Sequence, residues 1–175
     1  MRKLFISLIV SFGLLGCSSP TDGTHAYLLP ESTLDKPIFK VKTRVDLPDY
    51  LDTIGIAYRK SENELVSARK HVWAENLEGL LEERIDSSDA QGESDKELLI
   101  TFEQFNGSYT GNAEVKGTWI LSEQDVELAR AEFESNTPLK ESGYDSLVEA
   151  LGEGLDEVLA DIQSQLNQSA NHQKN

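Results

Sequence analysis

Near the C-terminus Leu147, Leu151, Leu155, Val158, Ile162 and Leu166 recur every three or four residues, and this spacing constrains the fold more than any other feature. At 3.6 residues per turn these side chains share one stripe over about six turns, which Val148 and Leu159 widen. Glu149, Glu153, Asp156, Glu157 and Asp161 fall on the opposite face. A helix with a single apolar stripe must bury it against another layer, so the rest of the chain has to supply that layer. Ser142, with Asp145 three residues on, predicts a capping box at the helix start. Beyond Asn167 the sequence is polar, which predicts a disordered tail over 168–175.

Most of the remaining chain alternates with period two, the mark of half-buried strands. Strands are expected over His25–Leu29 (closed by Pro30), Ile38–Val45, Ile54–Arg59 and Leu65–Ala68, with Ser61–Glu64 as a hairpin turn. Three more follow at Glu97–Phe105, Ala113–Leu121 and Val126–Phe133. Between the two groups Trp73, Leu77, Leu80, Leu81 and Ile85 return at helical spacing. Asp86–Lys96 is acidic, without period, and reads as a loop. The order strands, helix, strands, helix predicts one α+β domain over 25–167. Its sheet should be mostly antiparallel, with two amphipathic helices packed on one face.

The N-terminus makes a different statement. Arg2 and Lys3 precede an almost wholly apolar run from Leu4 to Leu15, about a dozen residues where a membrane-spanning helix needs roughly 20. That is the plan of a secretory signal peptide over 1–16. The run closes on Leu14-Leu15-Gly16-Cys17, which resembles the bacterial lipobox. The thiol would take a thioether-linked diacylglycerol, and the small Gly16 suits the peptidase that cuts before it. Cys17 is therefore the expected lipidation site, and residues 17–24 its polar tether. The alternative is a buried thiol packed as a small hydrophobe. As the only cysteine, Cys17 excludes an intramolecular disulfide and any cysteine-based zinc cluster. One acyl chain holds a membrane marginally, and the three of a bacterial lipoprotein, palmitate among them, hold it durably. Ser18 stands where an aspartate would signal inner-membrane retention, so the expected location is the outer membrane, facing the periplasm.

Without Arg2 and Lys3 the chain has 14 basic and 31 acidic residues, a net charge of −17. Such a surface is repelled by phosphodiester backbones and anionic headgroups, so nucleic acid is a poor partner. Catalytic patterns are missing. His25, His71 and His172 are widely spaced, with no H-x-x-x-H or H-E-x-x-H arrangement, and no metal site or cofactor is expected. Neither G-x-S-x-G nor a G-x-x-x-x-G-K loop occurs. Glu103 is an acid in an apolar strand, best read as a solvent-side residue of an alternating pattern. Trp73 and Trp119 lie on apolar faces and read as core anchors. No catalytic residue is nominated, and the chain reads as no enzyme.

Several stretches together resemble the PqiC-like family of ABC-type transport auxiliary lipoproteins. They are Tyr27-Leu28-Leu29-Pro30, Leu47-Pro48-Asp49-Tyr50-Leu51, Ile56-Ala57-Tyr58-Arg59 and Val72-Trp73-Ala74-Glu75-Asn76-Leu77. Phe105-Asn106-Gly107-Ser108-Tyr109-Thr110-Gly111 and Val115-Lys116-Gly117-Thr118-Trp119 follow, and Gly143-Tyr144-Asp145 opens the last helix. Asn76 departs from the proline frequent there in the family, and the segment from Ile85 to Leu98 is short. The resemblance implies a lipoprotein subunit of an intermembrane lipid-transport system, acting by contact in support of envelope integrity. Its implied partners are a PqiB-like tunnel protein with MCE domains, an inner-membrane protein at the tunnel's base, phospholipid, and further copies in a homo-oligomeric ring. Two other readings are an assembly lipoprotein for lipopolysaccharide export or secretion, and a periplasmic hydrolase with dispersed acids.

Overall fold

The computed structural model describes residues 23–36, 38–85 and 95–172, the last four of these by backbone alone. The expected signal peptide, Cys17 and most of the tether lie outside the described residues, as do 86–94 of the acidic loop. The elements run β1 (His25–Tyr27), β2 (Lys42–Asp46), β3 (Gly55–Ser61), β4 (Glu64–Trp73) and α1 (Leu77–Ile85). Then come β5 (Lys96–Gly107), β6 (Asn112–Glu123), β7 (Val126–Pro138) and α2 (Tyr144–His172). This is the expected α+β fold, a mixed, mostly antiparallel sheet with two helices. No helix of the described residues is long and apolar enough to cross a membrane.

The seven strands are ordered β1-β4-β3-β5-β6-β7, with β2 beside the first half of β5. The long strands β5, β6 and β7 form a continuous antiparallel meander. Alternation decides their faces: Leu98, Ile100, Phe102 and Phe105 of β5, and Ala113, Val115, Trp119 and Leu121 of β6, are buried toward the helices. A bulge at Glu103 keeps Phe105 on that side and leaves Glu103 exposed, as its pattern predicts. Gly117 is required by contact: a Cβ there would lie 2.0 Å from the Thr101 carbonyl oxygen and 2.7 Å from the Phe133 ring.

β2 and β3 both run parallel to β5 along the same edge, one after the other. β2 pairs with Glu97–Thr101 of β5, from Lys42↔Glu97 to Asp46↔Thr101. β3 touches β5 by a single ladder pair, Tyr58↔Gly107. The sheet thus has a thin seam between β1-β4-β3 and the rest. One core spans the seam, with Trp73 against Phe105 and Phe102 edge-on to both Phe105 and Phe133.

Five local expectations are corrected. The strand expected over Ile38–Val45 is formed over Lys42–Asp46, because Ile38 and Phe39 are both buried and adjacent strand residues cannot both point inward. Trp73 ends β4 and does not belong to the first helix, whose N-cap is Asn76, its Oδ1 accepting from the Gly79 N–H at 3.0 Å. The return strand expected over Leu65–Ala68 reaches Trp73, because β1 adds to its end. At α2 Gly143 takes the N-cap position, its carbonyl accepting from the Leu147 N–H, so Ser142 does not form the expected capping box. The tail expected from residue 168 is helical through His172.

Candidate functional site

β1 follows the expected tether in sequence, and the residues that receive β1 form the first part of the site. His25 pairs in register with His71 and Tyr27 with Trp73. The His25 and His71 rings stack at 5.1 Å, and His71 stacks on Tyr144 of α2 at 3.9 Å. The Tyr27 hydroxyl and His71 Nδ1 are 3.0 Å apart. Two histidines 46 positions apart in sequence are thus neighbours. Burial raises the Tyr27 hydroxyl pKa, with the Asp145 carboxylate adding to it; burial, then Tyr58, raises that of Tyr144. No group of three metal-binding side chains exists among the described residues.

After β1 the chain crosses the helix layer, where Pro30 lies against Gly152 of α2. A Cβ at 152 would sit 3.0 Å from the Pro30 ring, so the helix is glycine where this segment passes. One turn further along α2, Asp156 gathers five donors. Ser32 and Thr33 hydroxyls and the Thr33 N–H each reach it at 2.8 Å, and Arg84 of α1 donates from Nη2 at 2.7 Å and Nε at 3.2 Å. Burial by itself would raise the Asp156 carboxyl, but these donors outweigh it and hold the group below its ordinary value. One carboxylate therefore ties the tether-side segment and both helices together. A cleft of about 450 Å³ lies on one side of the segment, between Leu28, Leu34 and Leu80, and one of about 680 Å³ on the other, beside Glu149 and Glu153.

A second clamp lies on the sheet face away from the helices. Arg59 of β3 holds Glu114 of β6 through both Nε (2.7 Å) and Nη2, and Asn106 Nδ2 donates to the same carboxylate at 2.9 Å. Burial would raise Glu114, but Arg59, Asn106 and Ser108 together hold it low. The pair straddles the thin seam between β3 and β5. Over it stands Tyr109, about half exposed, with the Arg59 guanidinium carbon 5.7 Å from its ring centre. The loop carrying Tyr109 is fixed by Ser108 N–H to Asn112 O (2.8 Å) and Leu139 N–H to Gly111 O (3.0 Å).

Neither clamp was visible as a site in the sequence. Asp156 reads as part of the polar face of α2, although it extends the i, i+4 row of Val148 and Gly152 into the core. Arg84 follows no motif, and Arg59 stands only as the last residue of the Ile56-Ala57-Tyr58-Arg59 stretch, with nothing there to name its partner. Of the residues singled out, Trp73 and Trp119 are core and Glu103 lends only its carbonyl, to the Tyr50 hydroxyl at 2.7 Å. His172 is described by backbone alone. The arrangement binds segments to one another; it assembles no nucleophile, base and oxyanion donors around a common point.

The profile of the ABC-type transport auxiliary lipoprotein component matches residues 30–163. The chain belongs to the ABC-type transport auxiliary lipoprotein family. The intermembrane transport lipoprotein PqiC of Escherichia coli K12 is 29% identical over 171 residues, covering 86% of this chain and 90% of that protein. The PqiC of Shigella flexneri matches to the same extent. A crystal structure of a Xanthomonas campestris protein superposes with a TM-score of 0.71 at 16% identity, over 86% of this chain and 99% of that one. A second crystal structure, of an uncharacterized protein, gives 0.68 at 24% identity over 82% and 99%. These two show the fold. The family is one of transport auxiliaries and not of enzymes, and its profile begins at Pro30, where the chain crosses onto the helix layer.

Proposed function

We propose that this protein is an outer-membrane-anchored, periplasm-facing auxiliary lipoprotein of an intermembrane lipid-transport system. In this reading acyl chains on Cys17 hold it at the membrane, and it docks the far end of a PqiB-like, MCE-domain tunnel protein. The observation that carries it is the 29% identity to the intermembrane transport lipoprotein PqiC along most of both chains. The physical arrangement supports the reading. His25 follows Cys17 by eight positions, a reach of at most about 28 Å. A domain on so short a leash works at one membrane surface. The Asp156 clamp secures the segment through which any pull on that leash is transmitted.

Isolation of the tagged lipoprotein in mild detergent tests the docking. The expected result is co-purification of an MCE-domain protein together with its inner-membrane partner. Recovery of the lipoprotein without any MCE-domain protein, under conditions that keep the tunnel protein itself intact, would overturn it.

A further inference from the structure

β1 closes one end of the sheet, held by β4 through three ladder pairs, His25↔His71, Ala26↔Val72 and Tyr27↔Trp73. His25 and Ala26 are exposed and Tyr27 is half-buried, so little apolar burial secures the strand. What holds it is the ring column His25–His71–Tyr144, with the Tyr27 hydroxyl 3.0 Å from His71 Nδ1. The Ala74 N–H adds a bond to the Tyr27 carbonyl at 2.8 Å. Downstream, Ser32 and Thr33 are fixed more firmly, by three bonds to the Asp156 carboxylate. The N-terminal segment thus has two fastenings of unequal strength, and the weaker one contains both stacked histidines.

Stacked imidazoles attract while neutral and repel once both are charged. Imidazole ordinarily takes up its proton at about pH 6.5, so mild acid sets two imidazoliums face to face at 5.1 Å. The surrounding groups compensate only in part. The Tyr27 and Tyr144 phenols stay neutral, their pKa values raised first by burial, and Tyr58 of β3 meets Tyr144 edge-on. Lys70, the residue before His71 on β4, is a further cation. The Asp145 carboxylate of α2 acts on Tyr27 and can offset one imidazolium, not two. Clasped β1 therefore takes up the second proton less readily than released β1. Its pairing is complete above the imidazole range and is lost as the pH falls through it. Asp156, held below its ordinary value, stays ionised throughout this range.

We propose that β1 is a pH-sensitive clasp on the N-terminal segment: charging His25 and His71 together frees its three pairs and lets out chain as far as the Asp156 clamp. The opening is local, because Trp73 keeps its own bond to the Ile54 carbonyl and the core beneath it stays formed. Ser32 follows Cys17 by fifteen positions, so the extended reach grows from about 28 Å to about 52 Å. That gain in reach rests on the anchor of the proposed function. Neutral conditions then keep the domain drawn to the membrane, and mild acid lets it stand farther off.

Hydrogen exchange of the full-length lipoprotein in detergent tests the clasp, read amide by amide as protection factors so that the intrinsic effect of pH is removed. Three amides report on three fastenings: Ala74 on the bond to Tyr27, Trp73 on the bond to Ile54, and Thr33 on the bond to Asp156. Between about pH 7.5 and 5.5, on either side of the imidazole range, Ala74 protection should fall at least about fivefold while Trp73 and Thr33 hold. His25→Phe keeps a ring on the stack without its charge, and should leave Ala74 protected at both pH values. If that variant fails to fold, His25→Gln decides: Ala74 protection should be lower at both values and no longer depend on pH. An Ala74 amide indifferent to pH in the wild type would overturn the proposal. So would an equal fall in either His25 variant, or a parallel fall at Trp73 or Thr33. Recovery of the wild-type chain in the soluble fraction, with the expected exchange pattern, would overturn the anchor and not the clasp.

Discussion

The two arginine–carboxylate clamps make an instructive pair. Arg84–Asp156 lies under the helix-covered side, where Arg84 is 5% exposed and every acceptor position of the carboxylate is met by Ser32, Thr33 or Arg84. Arg59–Glu114 lies on the open side, where the arginine is 25% exposed and Tyr109 covers it. Both join segments far apart in sequence, yet they do different things. The first fastens the tether-side segment to both helices and has no free face. The second bridges a seam where the backbone offers one ladder pair, and it presents an aromatic side chain to solvent. Both carboxylates are buried and fully bonded; the burial of the arginine sets the difference, since Arg84 has no access to water while Arg59 keeps one side open to it.

The comparison can be broken by removing one partner at a time. Asp156→Ala leaves a buried guanidinium without its counter-charge and should cost about 3–5 kcal/mol, read as a lowered urea midpoint. Proteolysis should then begin within Ser32–Leu34, once that segment is released. Glu114→Gln should cost less, about 2 kcal/mol, because Arg59 can turn toward water. Its signature is local: amide exchange should quicken in β3 and β4 while β5–β7 stay protected. Tyr109→Ala should change stability by no more than about 0.5–1 kcal/mol, since its ring stacks at an exposed site. Any larger effect would mean that the open clamp depends on its cover.

Acid sharpens the same contrast. Asp156 and Glu114 both titrate below their ordinary values of 3.8 and 4.5, so each binds protons less readily folded than unfolded. Their stabilisation is complete above the unfolded values and is lost as the pH falls through the folded ones. Stability should therefore be flat near neutrality and drop below about pH 4. Glu114→Gln should make that drop shallower, a difference readable by thermal melts between pH 3 and 5.

Much of the fold was legible because its largest elements repeat a period. The stripe from Leu147 to Leu166 became α2, and the alternation around Leu98, Val115 and Phe133 became the meander. Where period and burial part company, reading failed. Ile38 and Phe39 continue an alternating look but are neighbours facing one core, so the strand starts later. Trp73 falls at a helical interval from Leu77 while the backbone beneath it is still extended. The parallel seating of β2 and β3 along one edge of β5 has no local signal, being decided by long-range pairing. The clamps were invisible for the same reason: Arg84 meets Asp156 across 72 positions and Arg59 meets Glu114 across 55. In an acidic chain, nothing marks which carboxylates turn inward.

The proposed function requires that Cys17 hold the domain at one membrane, where it acts by contact. Fractionation of Cys17→Ser against the wild type, in cells with and without the MCE-domain partner, tests it most directly. The wild type should sediment with the outer membrane in both strains. The variant should melt at the same temperature and appear in the soluble periplasmic fraction once the partner is absent. A folded Cys17→Ser protein that stays with the membrane when the partner is gone would contradict the account.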